Sequence, residues 1–422
     1  MPHQVAVMIH APLDQDRVTD LRKRLGDISR AGMAGPPFHF GRMPGVHFAR
    51  FFVLPADRDP SGAPLPAELV YLGEVDAPAR RHLRTLLDVA ADGLDEVFGH
   101  CPGYPGAAAP RGERLRWLRR HSAPADAFYV NTVGRTVAQI RAEAELRQVI
   151  QDYLDRRGSW AEVPPQRARQ AIQAHVRSRP ELAWAFRPPP GPALWWRSRE
   201  VLHRLGVPLL LLPALPILAV AVPVWLVLLR LHEIRDVPDT ERPGHDRLLE
   251  LADCEDDAAQ NPFTAVGFVK PGTLRRLTTR VVFAAIDYAV RHHYNHADLA
   301  GVKTIHFARW VSLDGRRVLF ASDYDGSLES YMDDFIDKLA WGLNAAFSNG
   351  VGYPRTRWLV TGGARDEQAF KYYLRRHQIP TAAWYSAYDT LTARNIDRNA
   401  RIRAGLRGDM TPDEAEGWLR LL

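Results

Sequence analysis

The feature that most constrains this chain is an internal repeat. The segment Gly45–Phe51 returns as Gly301–Trp310, with His-Phe-Ala-Arg in both. Further along, residues 320–354 align without a gap on residues 71–105, and the alignment places Asp325 on Asp76. A match of this length predicts a duplicated domain, in which each copy repeats the same structural unit.

Each copy has the same predicted order of elements, β-α-β-β-α-β, followed by one more helix. Apolar, β-branched runs predict strands over 4–10, 46–54, 69–75 and 127–132 in the first copy, and over 263–269, 304–313, 317–322 and 382–388 in the second. Apolar residues at helical spacing predict the two long helices, 79–98 and 328–347, and the helices that follow the last strands, 137–154 and 392–406. This order is that of the ferredoxin-like split unit, so we expect an α+β protein made of two tandem ferredoxin-like repeats.

The domain organisation follows from the repeat. We predict a first ferredoxin-like repeat over 1–157, a linker with an amphipathic helix over 158–204 and a hydrophobic membrane-associated segment over 205–232. A second linker over 233–261, a second repeat over 262–408 and a terminal helix over 409–422 complete the chain. We interpret the second repeat as the functional half, because it carries additional polar groups.

The hydrophobic segment has no charged residue between Leu205 and Leu229, which is long enough to cross a bilayer. A buried hairpin of a soluble core is the alternative interpretation. The run contains four prolines, each of which removes a backbone donor. A single crossing would also put the two repeats on opposite sides of the membrane. We therefore expect a proline-broken helical hairpin that dips into one leaflet.

Composition limits the classes of binding partner and the cellular compartment that we expect for this protein. The net charge of +6 comes mostly from arginines spread along the chain, which argues against nucleic acid as a partner and fits a bacterial composition. The chain has two cysteines, Cys101 and Cys254, and opens without a secretory signal pattern. We expect the protein on the cytoplasmic face of the inner membrane, with membrane lipid, a small amphipathic or apolar ligand and a second copy of the chain as partners.

Two residues shared between the copies are candidates for chemistry. His306 lies on a predicted strand, where a satisfied core histidine and a ligand or proton carrier are both open interpretations. Arg309 lies on a largely apolar face of the same strand, so it needs an acid partner or an anionic ligand.

The turn before the second long helix supplies further candidates. Asp325 is the predicted acid/base, with Asp323, Tyr324 and Tyr331 beside it as ligand-binding residues. Capping of the helix is the alternative role for Asp325.

Two residues beyond the long helix, Tyr353 and Arg355, complete the predicted ligand-binding set. His292 and His296 are one turn apart, but cations at a helix C-terminus are the commoner explanation, and we predict no metal site.

Two tandem units of this kind resemble the dimeric α/β-barrel superfamily, which includes dye-decolourising peroxidases and chlorite dismutases. The resemblance implies a pseudo-dimeric α/β barrel. It also implies a haem in one copy, with peroxide handled by the Asp of a Gly-x-x-Asp-Gly motif. Residues 322–326 are similar to that motif, with Ser322 at the first glycine and Asp325 at the aspartate. His306 is then the candidate haem ligand.

Two functions follow from these features. The first is a membrane-surface protein that binds haem or an amphipathic lipid-like molecule in the second repeat, with a peroxidase-like oxidoreductase activity as one form of it. The second is a non-catalytic, membrane-anchored scaffold or oligomerisation module. Whether the protein is an enzyme is left open by the sequence.

Overall fold

The computed structural model describes residues 3–76, 78–158, 160, 162–253, 255–256 and 258–422. The strands are β1 (Gln4–Leu13), β2 (Val46–Leu54), β3 (Asp57–Arg58), β4 (Pro64–Leu65), β5 (Ala67–Asp76), β6 (Ala127–Val130), β7 (Gln260–Phe268), β8 (Ile305–Leu313), β9 (Arg317–Asp325), β10 (Thr356–Arg357), β11 (Thr361–Gly362) and β12 (Ala383–Ser386). The α-helices are α1 (Val18–Ala31), α2 (Ala79–Val89), α3 (Ala91–Phe98), α4 (Arg111–Arg120), α5 (Val137–Arg157), α6 (Pro165–Arg177), α7 (Leu194–Leu211), α8 (Leu215–Ile234), α9 (His245–Ala252), α10 (Thr273–His292), α11 (Leu328–Phe347), α12 (Glu367–His377), α13 (Ala393–Gly405) and α14 (Pro412–Leu419).

The expected α+β class is confirmed, with two four-stranded antiparallel sheets and helices packed on them. One sheet has the order β1-β5-β2-β12 and the other β6-β8-β9-β7. The last strand of each half therefore lies in the sheet of the other half. β12 pairs with β2, where Ala383 lies opposite Phe51, and β6 pairs with β8, where Ala127 lies opposite Trp310. Because of this exchange, neither half completes its sheet without the other.

The outer edges of the two sheets are also joined. Just before β6, the chain runs beside β1, where the backbone N–H of His10 donates to the carbonyl of His121 at 2.9 Å. Just before β12, it runs beside β7, where the N–H of Ile379 donates to the carbonyl of Thr264 at 2.8 Å. These contacts join the outer edges of the two four-stranded sheets, so that their eight strands together form a ring.

The side chains of these strands alternate between the inside of the ring and the helices outside it. Every residue of β2 is buried, and so is β5 apart from its last residue, because both faces of these strands are covered. The apolar cluster inside the ring draws on both sheets. Its buried members are Met8, Phe52, Leu54, Val70, Leu72, Val311, Leu313, Leu319 and Ala321.

The predicted elements agree closely with the structure where periodicity is strong. The strand over 46–54 and the helix over 328–347 have the predicted bounds. The helix predicted over 79–98 is divided at Ala90, whose φ of −114° and ψ of 25° separate α2 from α3. The predicted linker over 158–204 contains α6, whose Ile172 and Val176 are buried in a cluster with α5, α13 and α14. Cys101 is buried, and Cys254 lies outside the described residues.

The predicted helical hairpin is wrong. One long apolar helix, interrupted by a single 3₁₀ turn, occupies 41 residues from Leu194 to Ile234. The residues around the interruption keep right-handed helical φ and ψ, so the chain does not reverse. Pro213 and Pro216 stand in the first turn of a helical segment, where a missing N–H costs nothing, whereas Pro208 and Pro223 lie inside α7 and α8.

Both ends of this long helix are attached to the body of the protein. Near its start, Glu200 pairs with Arg291 of α10 at 2.6 Å. Near its end, the indole N–H of Trp225 donates to the Thr278 hydroxyl of α10 at 3.0 Å, and Glu233 is buried. Between these attachments the helix is exposed around its circumference, and the most apolar 18-residue window has no buried residue. We call residues 205–224 the exposed helix.

Candidate functional site

The first part of the candidate site is a buried histidine–aspartate pair in the second half. Nε2 of His306, on β8, lies 2.7 Å from Oδ1 of Asp325, the last residue of β9. Oδ2 of Asp325 accepts a hydrogen bond from the backbone N–H of Ala393 at 2.7 Å. Ala393 begins α13, so the carboxylate also stabilises a helix N-terminus. The carboxylate holds the imidazole in one orientation and fixes its tautomer.

The first half contains the same arrangement with one difference. Nε2 of His47 lies 3.2 Å from Oδ1 of Asp76, and Oδ2 of Asp76 accepts from the N–H of Val137, which begins α5. The difference is at Nδ1 of His47, which lies 2.8 Å from the hydroxyl of Tyr388. Tyr388 comes from the other half, and the sequence analysis did not find it because 341 residues separate it from His47.

Two buried arginine–carboxylate pairs lie inside the ring of strands, and each joins the two halves. Arg309 donates to Glu74 and to the carbonyls of Val7 and Gly73, at 2.8 and 2.9 Å. This acid partner in the other half pairs with the guanidinium, as the apolar face of its strand required, and Nε is the guanidinium nitrogen that has no hydrogen-bond partner among the described residues.

In the second pair the arginine lies in the first half and the carboxylate in the second. Arg50 lies 2.5 Å from Oδ1 of Asp323 and also donates to the carbonyls of Phe263 and Ser322. Both arginines are at most 1% exposed, so these pairs are shielded from water and salt. Together the four charged groups fasten the halves to each other.

The two carboxylates of these pairs are close enough to influence one another. The pKa of Asp323 is raised to about 7. Burial is the largest cause, Glu74 also raises the pKa, and Arg50 offsets part of the rise. Asp323 therefore gains a proton more readily than an ordinary aspartate does. This property follows first from the complete burial of Asp323 between the two sheets.

The tyrosines of the predicted site serve packing. The rings of Tyr324 and Tyr331 stack with centroids 4.1 Å apart, and the Tyr331 hydroxyl lies 2.6 Å from that of Ser322. Tyr353 is buried elsewhere and donates to Oδ1 of Asn344 at 2.9 Å.

Arg355 is exposed, and its Nε donates to a backbone carbonyl of residue 236 at 3.3 Å. The structure thus brings His306 and Asp325 together, and Tyr324 and Tyr331 together. It does not gather the eight predicted residues around one cavity.

The cavity beside His306 tests whether these residues fit a haem. It has a volume of about 20 Å³ and is shared with His47, Tyr388 and Arg135. A volume of this size is close to that of one water molecule. Since Nε2 of His306 also lies against Asp325, the residues in this arrangement do not fit a haem. Among the described residues, no group of three histidine, cysteine or acidic side chains is arranged to hold a metal ion.

A second cavity lies between α10, α11 and the outer face of β8 and β9. It has a volume of about 100 Å³ and its exposed lining is entirely apolar. α11 is kinked beside it, where Leu339 has a φ of −138° and a ψ of 24°. Trp341, at the edge of the cavity, is 53% exposed. The cavity lies in the second half, where the sequence analysis expected the ligand, but none of the eight predicted residues lines it.

The chain matches no protein-family model, no curated protein and no solved structure. The features of the molecule that bear on its function are the exposed helix, the cavities and the charges around them.

Proposed function

We propose that this protein lies on the surface of one membrane leaflet and binds an amphipathic, lipid-like ligand in its second half. The observation that carries the proposal is the exposed helix. An α-helix that is apolar all round is stable in a hydrophobic environment and not in water. Leu210 and Ile217 are 77% and 71% exposed, so the body of the protein does not provide that environment. The cytoplasmic leaflet of the inner membrane would provide it.

The exchange of strands decides how such a helix can sit in a membrane. β6 belongs to the chain before the long helix and β12 to the chain after it, yet each lies in the sheet of the other half. Both ends of the long helix are also attached to the same body, through Glu200 and Glu233. A helix that crossed the bilayer would separate those ends by about 30 Å of hydrocarbon. The exposed helix therefore lies along one leaflet, with both of its ends at the same membrane surface.

Residues around the ends of the long helix fit a membrane interface. Trp358, which is 42% exposed, donates its backbone N–H to Glu233 at 2.9 Å and so lies beside the end of the helix. Leu277 is 55% exposed and adjoins Thr278, the partner of Trp225. Tryptophan and arginine are typical of the headgroup level, and Arg204 and Arg230 flank the apolar run.

The apolar cavity supports the ligand part of the proposal. Its volume of about 100 Å³ is smaller than an engineered cavity of about 150 Å³ that holds benzene. It therefore suits the end of one hydrocarbon chain and excludes a broad ring system. We assign no catalytic step to Asp325, Arg309 or His306, because each is buried and paired with another protein group.

We further propose that the two halves descend from one duplicated ferredoxin-like unit and form a pseudo-dimeric α/β barrel. Support comes from the matched positions of the histidine–aspartate pairs and of the buried arginines. The mutual exchange of the last strands is the arrangement that a dimer of such units would acquire on fusion into one chain.

Vesicle flotation tests the membrane proposal. The Leu210→Glu variant places a charge on the exposed helix and should abolish flotation with phospholipid vesicles, because a charge in the hydrocarbon costs about 2–3 kcal/mol or more. Leu249→Glu is the matched control, since Leu249 is 51% exposed on α9, and it should float like the unchanged protein. Equal flotation of both variants would show that the exposed helix does not enter the membrane.

The scaffold hypothesis and the haem hypothesis give different outcomes in the same preparation. A homogeneous oligomer that is free of lipid and masks the exposed helix would favour the scaffold. An absorption band of bound haem would contradict the geometry around His306. Native mass spectrometry with one bound acyl-chain lipid per chain would support the ligand site.

A further inference from the structure

A separate cleft lies at the start of the long helix, away from the buried charge pairs. It has a volume of about 470 Å³, which is within the range of sites for small ligands. The cleft is bounded by the first residues of β1, by β6 and the loop after it, by the start of α7 and by α10. Since α7 leads directly into the exposed helix, this cleft lies where the protein would meet the membrane surface.

One wall of the cleft carries a guanidinium group that has no acid partner within the ranges that the structure describes. Arg199 is exposed there, and no carboxylate among the described residues lies within ion-pairing distance of it. Burial and the nearby Arg199 lower the pKa of His3, whose Nδ1 is buried without a hydrogen-bond partner in the described part of the chain. The two acids of the cleft, Glu200 and Asp287, are both occupied by Arg291, at 2.6 and 3.0 Å. The Arg199 guanidinium and the unpartnered imidazole nitrogen of His3 are therefore both at this cleft.

The opposite wall is apolar and leads toward the apolar cavity. Phe128, Val130 and Val133 line it together with Val290 of α10. Val290 also lines the apolar cavity, so the cleft and the cavity share this residue. The cleft can therefore receive a polar group on one wall and the beginning of a hydrocarbon chain on the other.

We propose that this cleft binds the phosphate headgroup of an anionic phospholipid, with Arg199 as the residue that contacts the phosphate. The inference rests on the proposed position of the protein on a membrane leaflet. The proposed ligand is an anionic phospholipid, and its headgroup lies at the start of the long helix, between β6 and α10. Guanidinium groups bind phosphate with charge-assisted hydrogen bonds.

Titration calorimetry of the full chain in phosphatidylcholine nanodiscs tests this site. Dihexanoyl phosphatidic acid, which is soluble as a monomer, should bind with saturation, and dihexanoyl phosphatidylcholine should bind more weakly. Arg199→Ala should weaken the binding of phosphatidic acid about tenfold or more, the equivalent of one charged hydrogen bond. Arg197→Ala is the matched control, because Arg197 is exposed on the same helix but does not line the cleft, and it should change the affinity less than about twofold.

The other possible outcomes test the site, the lipid and the membrane proposal separately. Equal effects of the two arginine substitutions would overturn the site, since they would show attraction to charge in general. Inorganic phosphate that binds as tightly as phosphatidic acid would overturn the lipid as the source of the phosphate. A protein that floats with vesicles but does not bind phosphatidic acid would overturn this site alone, whereas loss of flotation would remove the membrane proposal itself.

Discussion

Arg309 lies in one half and Glu74 in the other, so we predict that this buried pair holds the two halves together. Replacing Arg309 with methionine keeps most of the side-chain volume but removes the charge and the donors. The variant leaves the Glu74 carboxylate buried at 2% exposure, together with the carbonyls of Val7 and Gly73.

The expected loss follows from this geometry. Removing one partner of a buried ion pair costs about 3–5 kcal/mol, because the remaining charge has no compensation. No discount for solvent screening applies, since Arg309 is 1% exposed. A double variant, Arg309→Met with Glu74→Met, removes the unpaired charge and should recover at least about 1 kcal/mol. It should stay below the unchanged protein, because two carbonyls still lack their donor.

Urea unfolding of the full chain in a mild detergent measures these free energies, with circular dichroism as the signal. Arg111→Met is the control, since Arg111 and its partner Asp88 are about half exposed, and it should cost at most about 1 kcal/mol. The reasoning is refuted if Arg309→Met costs no more than Arg111→Met. It is also refuted if the double variant is less stable than the single one.

Three further changes test other parts of the structure. Burial raises the pKa of Asp323 from 3.8 to about 7. Between these pH values Asp323 ionises in the unfolded chain but not in the folded protein, so the free energy of unfolding falls as the pH rises. Asp323→Asn removes this loss, so in urea titrations the variant should become more stable relative to the unchanged protein as the pH rises from 4 to 7. Asp325→Ala should cost about 1–2 kcal/mol and speed amide exchange in the first turn of α13, which loses its acceptor; unchanged exchange there would contradict the capping role. Gly405→Ala should lower the melting temperature, because its Cβ would lie 2.1 Å from the ring of Trp418, whereas Gly417→Ala, with open space around it, should leave it unchanged or raise it slightly.

Much of the fold could be predicted from the sequence because the signals are local. An apolar, β-branched run predicted the bounds of β2 and helical periodicity those of α11, and the sequence match between the halves indicated which positions correspond. The site was harder to predict. The sequence indicated that Arg309 needs an acid, but its partner Glu74 lies 235 residues away in the other half. Proline content suggested a hairpin, yet prolines at the starts of helical segments are compatible with a continuing helix.

The sequence by itself determined which segments are strands and helices, and that one long stretch carries no charge. These properties depend on neighbours within a few residues of each other. Only the tertiary structure decided that the last strands are exchanged, that buried charges pair between the halves, and that both ends of the long helix return to one body. Backbone N–H and C=O groups are alike at every strand edge, so the choice of partner strand depends on packing across the whole chain.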